Sequence, residues 1–378
     1  MISRNLLAGT STLAAVGLAF LASACLALAQ NSGDIKPVTV LKIRVVSSAP
    51  LGSVPFVSLT KVFMPEAERL LKGAGSAMTI NWEVKKLPAV APQTYGGREA
   101  FFDISGGIAD VGLVDVASEA EDLPLLQAPW RVPFLGLDAP KLIRIFSHVI
   151  DQAPEIRQSF LARDQVLLAL TASSEMVLVT KQSVPGLPGL KGKKIGLSAA
   201  AVGWLQNTGA IAVEAAPGSY HAGLKSGGLD GVILPAAWIG PLKLAEVAPY
   251  ITRAGLAVMP AQALAFNKQR WDGLPVRVRD ALYSAARAYQ QEAANAQGSA
   301  ASGMFAKLVA GGATLSVMSE ADRKAWGAGL SALVPQWPAE LKKSGKPAQA
   351  VMTYFLFEAR KYTPHGRNNP QPVKEPPR

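Results

Sequence analysis

Two copies of one local pattern constrain the fold of this chain more than any other feature. The first copy reads GGIAD at residues 106–110, the second reads GGLDG at residues 227–231, and an apolar run follows each aspartate. An amphipathic run typical of a helix precedes each pair of glycines, and glycine is the usual residue at a left-handed helix end. One copy is ordinary for an α/β protein. Two copies predict two lobes built alike, and such lobes commonly hold a ligand between them.

The N-terminus is typical of a secretory signal peptide. Arg4 is the only charged residue before Asp34, a largely apolar run follows it, and the small residues at 27–29 fit a cleavage site. We therefore expect cleavage near Ala29 and export to the periplasm. Two alternatives stay open: a single-span anchor, because the run approaches the ~20 residues that cross a bilayer, and a lipoprotein site at Cys25, which lacks the usual large aliphatic residue three positions earlier.

Cysteine usage limits the chemistry of the exported chain. Cys25 is the only cysteine, so cleavage near Ala29 leaves none. Disulfides, thiolate catalysis and cysteine-based zinc sites are then excluded. An exported protein without disulfides indicates a bacterial periplasm and a core large enough to be stable by itself.

The length and the charge bound the domain count and the partners. A chain of 378 residues is too long for one ordinary domain and suits two. The net charge is +11, but the basic residues are dispersed, and the densest group, at 191–194, holds three lysines. No stripe interleaves basic and aromatic side chains, so the charge indicates a solvated surface and no nucleic-acid partner.

Familiar catalytic and metal motifs are absent from the sequence. There is no Gly-x-Ser-x-Gly elbow and no His-Glu-x-x-His, and the three histidines are His148, His221 and His365. The acidic run at 115–122 is able to bind Ca²⁺ or to act as a carboxylate pair, but such a run is more typical of a solvated loop. We expect a protein that is not an enzyme and that needs no metal or cofactor.

Several short motifs occur in an order and spacing that identify a family resemblance. They are GGRE at 96–99, GIAD at 107–110, VPFL at 132–135 before Asp138, LKGKKI at 190–195, the Leu-Asp-Gly at 229–231, and the stretch 267–275 with NK, Trp271 and LP. Over residues 40–335 the chain resembles the solute receptors of tripartite ATP-independent periplasmic (TRAP) transporters, of the dicarboxylate-binding, DctP-like type. The resemblance implies a small organic solute as ligand and the integral-membrane permease subunits as partners.

The same resemblance implies a two-lobed α/β fold of the periplasmic-binding-protein kind. Each lobe would be a mixed sheet flanked by helices, and crossing strands and a long helix that starts near Pro275 would join the two lobes. We expect a signal peptide at 1–29, a first lobe from 30–165 and 256–290, and a second lobe from 166–255 and 291–362. Residues 363–378 hold five prolines and few apolar side chains, which predicts a disordered tail.

The chain departs from the family where the resemblance implies ligand contacts. Gly196 stands where relatives carry an arginine that clamps a substrate carboxylate, and Glu175 stands where a second basic residue is common. Residues 232–235 replace a Glu-Asn pair that often contacts the ligand. Leaving a buried carboxylate without its arginine costs about 3–5 kcal/mol. We therefore expect a neutral, cationic or aromatic ligand in place of an ordinary dicarboxylate.

Ten positions form the predicted ligand site. Trp204 and Trp238 follow the altered positions and are aromatic candidates for stacking, although both also suit core packing. Five polar candidates lie at strand ends or helix starts, where α/β clefts place their ligands: Tyr95, Asp115, Ser173, Ser174 and Tyr220. The positions that depart from the family complete the set: Glu175, Gly196 and Leu234. The pair Tyr220-His221 is equally typical of a surface helix turn.

The sequence thus predicts a periplasmic receptor that closes around a small molecule and delivers it to a permease. A binding module for sensing or storage with the same fold stays open as an alternative. An exported enzyme and a membrane-anchored scaffold are further alternatives, and the missing catalytic motifs count against the enzyme.

Overall fold

The computed structural model describes residues 39–73, 78–85 and 97–362. The strands are β1 (Thr39–Ser47), β2 (Met78–Val84), β3 (Val111–Asp115), β4 (Gln165–Ala172), β5 (Met176–Thr180), β6 (Lys194–Leu197), β7 (Ile211–Glu214), β8 (Gly231–Pro235), β9 (Tyr250–Arg253), β10 (Pro260–Asn267) and β11 (Thr314–Val317). The α-helices are α1 (Val54–Ser58), α2 (Met64–Gly73), α3 (Glu99–Ser105), α4 (Ala139–Gln152), α5 (Glu155–Leu161), α6 (Tyr220–Ser226), α7 (Lys268–Asp272), α8 (Val276–Ala310), α9 (Glu320–Ala328), α10 (Leu333–Lys342) and α11 (Ala348–Arg360).

Two mixed sheets, one of five strands and one of six, organise these elements. The first has the order β2-β1-β3-β10-β4, and the second has the order β7-β6-β8-β5-β9-β11. In each sheet three parallel strands come first, followed by an antiparallel neighbour: β10 beside β3 and β5 beside β8. Helices flank both sheets, which confirms the predicted two-lobed α/β fold.

The two aspartates of the repeated pattern fix equivalent parallel strands. In the first lobe Asp110 donates its backbone N–H to the carbonyl oxygen of Arg44 at 2.9 Å and accepts the N–H of Arg44 at Oδ2 at 2.8 Å. In the second lobe Asp230 makes the same pair of hydrogen bonds with Lys194, both at 2.8 Å. Each aspartate therefore ties the strand that follows it to the neighbouring parallel strand, at Arg44 within β1 and at Lys194, the first residue of β6.

Hydrophobic clusters cover both faces of each sheet. In the first lobe Val45 and Leu113 lie in one cluster with Phe63. Val46 and Val114 lie in the cluster on the other face, with Phe146 and Phe355. Successive residues face opposite sides because side chains alternate along a strand. In the second lobe Leu178 and Ile233 lie on one face and Val177 and Val232 on the other. Within the described residues, no helix combines the length and apolar character that crossing a membrane would require.

Four segments join the lobes, and the fourth is the chain that leads from β11 through α9 and α10 to α11, which packs on α4. The chain crosses from β4 to β5 at 173–175 and returns from β9 to β10 at 254–259. Helix α8 runs along both lobes, contacting α2, α4 and β4 at one end and β11 at the other. The predicted long helix is present, and it begins at Val276, one residue after Pro275.

The lobe boundaries differ from the predicted ones in two places. Strand β4, expected in the second lobe, pairs with β10 in the first sheet. Helix α11, also expected there, packs on α4, with the rings of Phe146 and Phe355 5.7 Å apart. Apolar strands and helices have similar patterns in both lobes, so their sequence alone does not assign them to a sheet. The predicted signal peptide and C-terminal tail lie outside the described residues.

Candidate ligand-binding cleft

A cavity of about 520 Å³ lies between the two lobes. It opens at the carboxyl ends of four parallel strands, where Ala49 follows β1, Asp115 ends β3, Ser198 follows β6 and Pro235 ends β8. This edge is where open α/β sheets place their ligands. The volume is within the range of sites for small organic molecules.

Each lobe and each connection contributes to the cavity wall. The first lobe supplies the turn before α1, including Ser53, and the start of β10, including Met259 and Gln262. Helix α8 supplies Gln297, Ala300 and Met304, which share one helix face because they lie three and four residues apart. A ligand in the cavity would therefore contact both lobes and the long helix.

Aromatic side chains form part of the wall. Trp130, Tyr220 and Trp238 line the cavity. Trp204 is fully buried behind Trp130: their rings stack at 5.2 Å, and the Trp204 indole N–H donates to the Trp130 carbonyl oxygen at 2.7 Å. Trp326 donates in the same way to the Trp204 carbonyl oxygen at 2.6 Å. The structure thus places Trp204 in the support of the wall, and the wall itself holds Trp130.

The two serines of the first crossing hold the neighbouring backbone. Ser173 Oγ accepts the N–H of Met259 at 3.0 Å and donates to the Ser174 carbonyl oxygen at 2.7 Å. Ser174 Oγ accepts the N–H of Ala237 at 3.0 Å. These bonds join the crossing to the return strand and to the second lobe beside the cavity.

Asp115 and Gln262 are cross-strand neighbours on β3 and β10. Asp115 is 7% exposed; its Oδ1 accepts the Ser118 N–H at 2.8 Å, and its Oδ2 accepts the Gln262 Nε2–H at 3.0 Å. Burial raises the pKa of Asp115, while the hydrogen bonds from Ser118 and Gln262 act in the opposite direction. The wall therefore holds a carboxyl group whose recorded donors are uncharged.

The described lining residues include no lysine or arginine. A Cβ at Gly196 would lie 2.8 Å from Leu229 Cδ1 and 3.1 Å from Val232 Cγ1, so a side chain there would enter the second-lobe core. Glu175 lies outside the wall and pairs with Arg253, whose Nε is 2.8 Å from Glu175 Oε1. The cavity wall of the described chain thus has no cation at either altered position.

The acidic run after β3 is not the solvated loop that the sequence predicts. Glu119 is 1% exposed and lies 2.8 Å from Arg98, and Asp122 contacts both Arg98 and Arg163. The pKa of Glu119 is raised to about 7, because the effect of burial exceeds the opposing effect of the ion pair with Arg98. The arginine directly before α3 and the arginine after α5 neutralise this run because the fold brings them to it.

Six of the ten predicted positions line the cavity: Asp115, Ser173, Ser174, Tyr220, Leu234 and Trp238. Glu175, Gly196 and Trp204 lie outside the wall, and Tyr95 is outside the described residues. Sequence reasoning missed several lining residues, among them Trp130, Gln262, Gln297 and Met304. Trp130 lies two residues before the VPFL motif, which was a usable signal, whereas Gln297 lies mid-helix with no local signal.

Two buried polar atoms of the wall residues have no hydrogen-bond partner in the described structure: Gln297 Oε1 and Trp130 Nε1. Gln297 itself is 5% exposed and uses its Nε2–H to donate to the Ala172 carbonyl oxygen at 2.9 Å. The described residues contain no group of three His, Cys, Asp or Glu side chains suited to a metal ion. The site offers hydrogen bonding and apolar contact.

Comparison with known proteins identifies related folds. The family model of the bacterial extracellular solute-binding protein, family 7 (DctP), matches residues 83–340. A TRAP periplasmic solute-binding protein from Ochrobactrum anthropi has a TM-score of 0.71 and 17% identity, covering 86% of this chain and 96% of that one. No curated protein shows significant similarity.

Two further solved structures are similar. A TRAP periplasmic solute-binding protein from Desulfovibrio salexigens, described as an open complex, has a TM-score of 0.70 and 19% identity and covers 85% of this chain and 96% of its own. A TRAP solute-binding protein from Rhodoferax ferrireducens, in complex with copurified benzoate, has a TM-score of 0.70 and 18% identity, with coverages of 85% and 98%.

Proposed function

Because the chain belongs to the DctP family, family 7 of the bacterial extracellular solute-binding proteins, we propose that it is the receptor of a TRAP transporter and delivers a small organic solute to the membrane permease. Its place is the periplasm, reached through a signal peptide cleaved near Ala29. Members of this family bind solutes without chemical conversion, which agrees with a wall of aromatic, aliphatic and serine side chains.

The observation that carries this proposal is the cavity between two lobes at the carboxyl ends of their parallel strands. A ligand that contacts Asp115 on the first lobe and Tyr220 or Trp238 on the second stabilises the closed arrangement, since only that arrangement makes both sets of contacts. Closure would give the permease a surface that differs between the loaded and the empty receptor.

The ligand is not an ordinary dicarboxylate. The Rhodoferax protein holds benzoate, which is a carboxylate. The described wall of this cavity, in contrast, has no lysine or arginine to form an ion pair with a carboxylate. Burying a carboxylate without a cation costs about 3–5 kcal/mol, or roughly two to three powers of ten in affinity. A neutral, cationic or aromatic molecule avoids that cost.

The test is solute binding by the purified protein and by a variant with a filled cavity. Ala300→Trp adds a large side chain to the wall from α8, and Ser299→Trp adds the same side chain one residue away at an exposed position. We expect the Ser299→Trp protein to retain the solute that mass spectrometry identifies in the native protein, and the Ala300→Trp protein to lose it. Equal retention would contradict a cleft receptor.

A further inference from the structure

The charge of the cavity wall narrows the ligand class further. Among the described lining residues Asp115 is the single Asp, Glu, Lys, Arg or His side chain. Its oxygens accept hydrogen bonds from Ser118 and Gln262, which are neutral donors. The Ser118 side chain and the Ala117 backbone N–H also donate to this carboxyl group, and they too are neutral. A buried charge is stable only when it is paired, and no cation of the described wall pairs with this one.

The charged groups near Asp115 do not provide that pair. Glu119, four residues along the loop, carries the same sign and interacts unfavourably with Asp115. Arg98 directly precedes α3, and its guanidinium binds Glu119 at 2.8 Å and also contacts Asp122. The positive charge is thus committed to the two other carboxylates.

We propose that Asp115 is the counter-ion for a small organic cation, such as an amine with an apolar or aromatic body, that occupies the cleft. This inference rests on the proposed receptor function and specifies its ligand class. The ammonium group would donate to Asp115, and Trp130, Tyr220 and Trp238 would surround the body. Aromatic rings add attraction for a cation that is removed from water.

Acids and neutral molecules fit this wall less well. An acid would bring a second negative charge to Asp115. A neutral molecule would displace water from a carboxylate and leave its charge uncompensated, so it would bind best when Asp115 is protonated. Only a cation gains from the ionised form, because it supplies the charge that the described wall lacks.

Three probes that share an indole ring separate these cases: tryptamine, which is an ammonium ion, tryptophol, which is neutral, and indole-3-acetate, which is a carboxylate. Calorimetric titration of the full mature protein at pH 7.5 should give tryptamine at least about tenfold tighter than tryptophol, with indole-3-acetate weaker still. The same comparison with benzylamine, benzyl alcohol and benzoate removes dependence on one skeleton.

The variant Asp115→Asn removes the charge and keeps the size. We expect it to bring tryptamine and tryptophol within about threefold of each other. Asp138→Asn makes the same chemical change at the exposed start of α4 and should leave the preference intact. Circular dichroism and thermal unfolding establish that both variants are folded before titration.

A pH series on the unmodified protein tests the same point if Asp115→Asn does not fold. The preference for tryptamine over tryptophol should grow from pH 5 to pH 8, since burial raises the pKa of Asp115 and a higher pH ionises it. Glu119 also titrates in this range, so the series is repeated in Glu119→Gln, where the trend should persist.

The outcomes separate this inference from the receptor function. Tighter binding of the acids, equal binding of amine and alcohol, or an unchanged preference in Asp115→Asn overturns the counter-ion role and leaves the receptor function standing. If none of the six probes binds, the charge of the solute that copurifies decides: a cation supports the inference and a neutral or acidic solute overturns it. The absence of any copurified or bound solute would overturn both.

Discussion

Two buried carboxyl groups four residues apart have different surroundings. Asp115 receives hydrogen bonds from uncharged donors and borders the cavity, whereas Glu119 pairs with Arg98 away from it. The difference follows from position. Asp115 ends the central strand β3, whereas Glu119 lies in the turn after β3 and pairs with Arg98, the residue before α3. Nearby residues of one acidic run thus have different surroundings: Asp115 borders the cavity, and Glu119 belongs to an ion-pair cluster.

The raised pKa of Glu119 predicts a pH-dependent stability. Its value of about 7 in the folded protein exceeds the ordinary 4.5, so the folded state binds more protons between these two values. The contribution to the free energy of unfolding is fully present below about pH 4.5 and is lost as the pH rises through about 7. We expect urea unfolding at pH 5, 6, 7 and 8 to show a difference between the native protein and Glu119→Gln that changes by about 1–3 kcal/mol. A constant difference would contradict the raised pKa.

Trp204 supports the cavity wall without reaching the cavity. Replacing it with phenylalanine removes the indole N–H and leaves the buried Trp130 carbonyl oxygen without its donor. We expect Trp204→Phe to lower the free energy of unfolding by about 1–3 kcal/mol and to weaken ligand binding, because Trp130 loses its anchor. Trp82→Phe is a control: its indole N–H donates to half-buried Glu68, which water can reach, so the loss should be smaller.

At the scale of elements, the helix–glycine–aspartate–strand unit is the repeated building block. The unit ends a helix, reverses the chain and starts a parallel strand that the aspartate ties to its neighbour. The two copies differ in which glycine adopts the left-handed conformation: Gly107 has φ +70° in the first, and Gly227 has φ +81° in the second. Both turns connect a helix to a parallel strand, but the left-handed residue is the second glycine of the pair in the first unit and the first glycine in the second unit.

This difference predicts unequal effects of alanine in the second unit. Gly227→Ala forces a Cβ into the left-handed region and should cost about 1–2 kcal/mol of stability. Gly228→Ala should be close to neutral, because a Cβ there meets nothing nearer than Ser226 Oγ at 3.5 Å. Chemical denaturation of the two variants measures both values. Equal losses would show that the helix end is not held as the structure describes.

At the scale of the whole molecule, the cleft depends on the connections between the two lobes. The crossing at 173–175, the return at 254–259 and helix α8 hold the lobes side by side, and no single lobe encloses the cavity. Such an arrangement bends at its connections while each sheet stays rigid. A bound solute is expected to shift the population towards the closed form.

Closure is measurable as a distance between the lobes. Lys61→Cys on the first lobe and Lys225→Cys on the second place labels at exposed positions, and the mature chain would have no other cysteine. We expect the distance between spin labels to shorten when the copurified solute is restored to the emptied protein. The same pair of labels in Ala300→Trp should show no solute-dependent change. An unchanged distance in the first protein would contradict closure.

Much of this architecture could be predicted from residues that act locally. The glycines and aspartates of the two units, the short apolar strands and the long helix after Pro275 each produce their structure through neighbours in sequence. The family resemblance indicated a glycine in place of a basic residue at position 196, and the geometry adds that Leu229 fills the space a side chain would need there.

Tertiary structure decided what depends on distant neighbours. Strand β4 joins the first sheet because its backbone pairs with β10, and an apolar strand carries no mark of its partner. Trp204 lies behind the wall and Trp130 forms it, although both are tryptophans in irregular segments. The sequence alone determined two similar α/β lobes, since hydrophobic period and turn residues are local. Which side chains border the cavity, and that Asp115 does so without a described cation beside it, followed only from the packing of segments far apart in the chain.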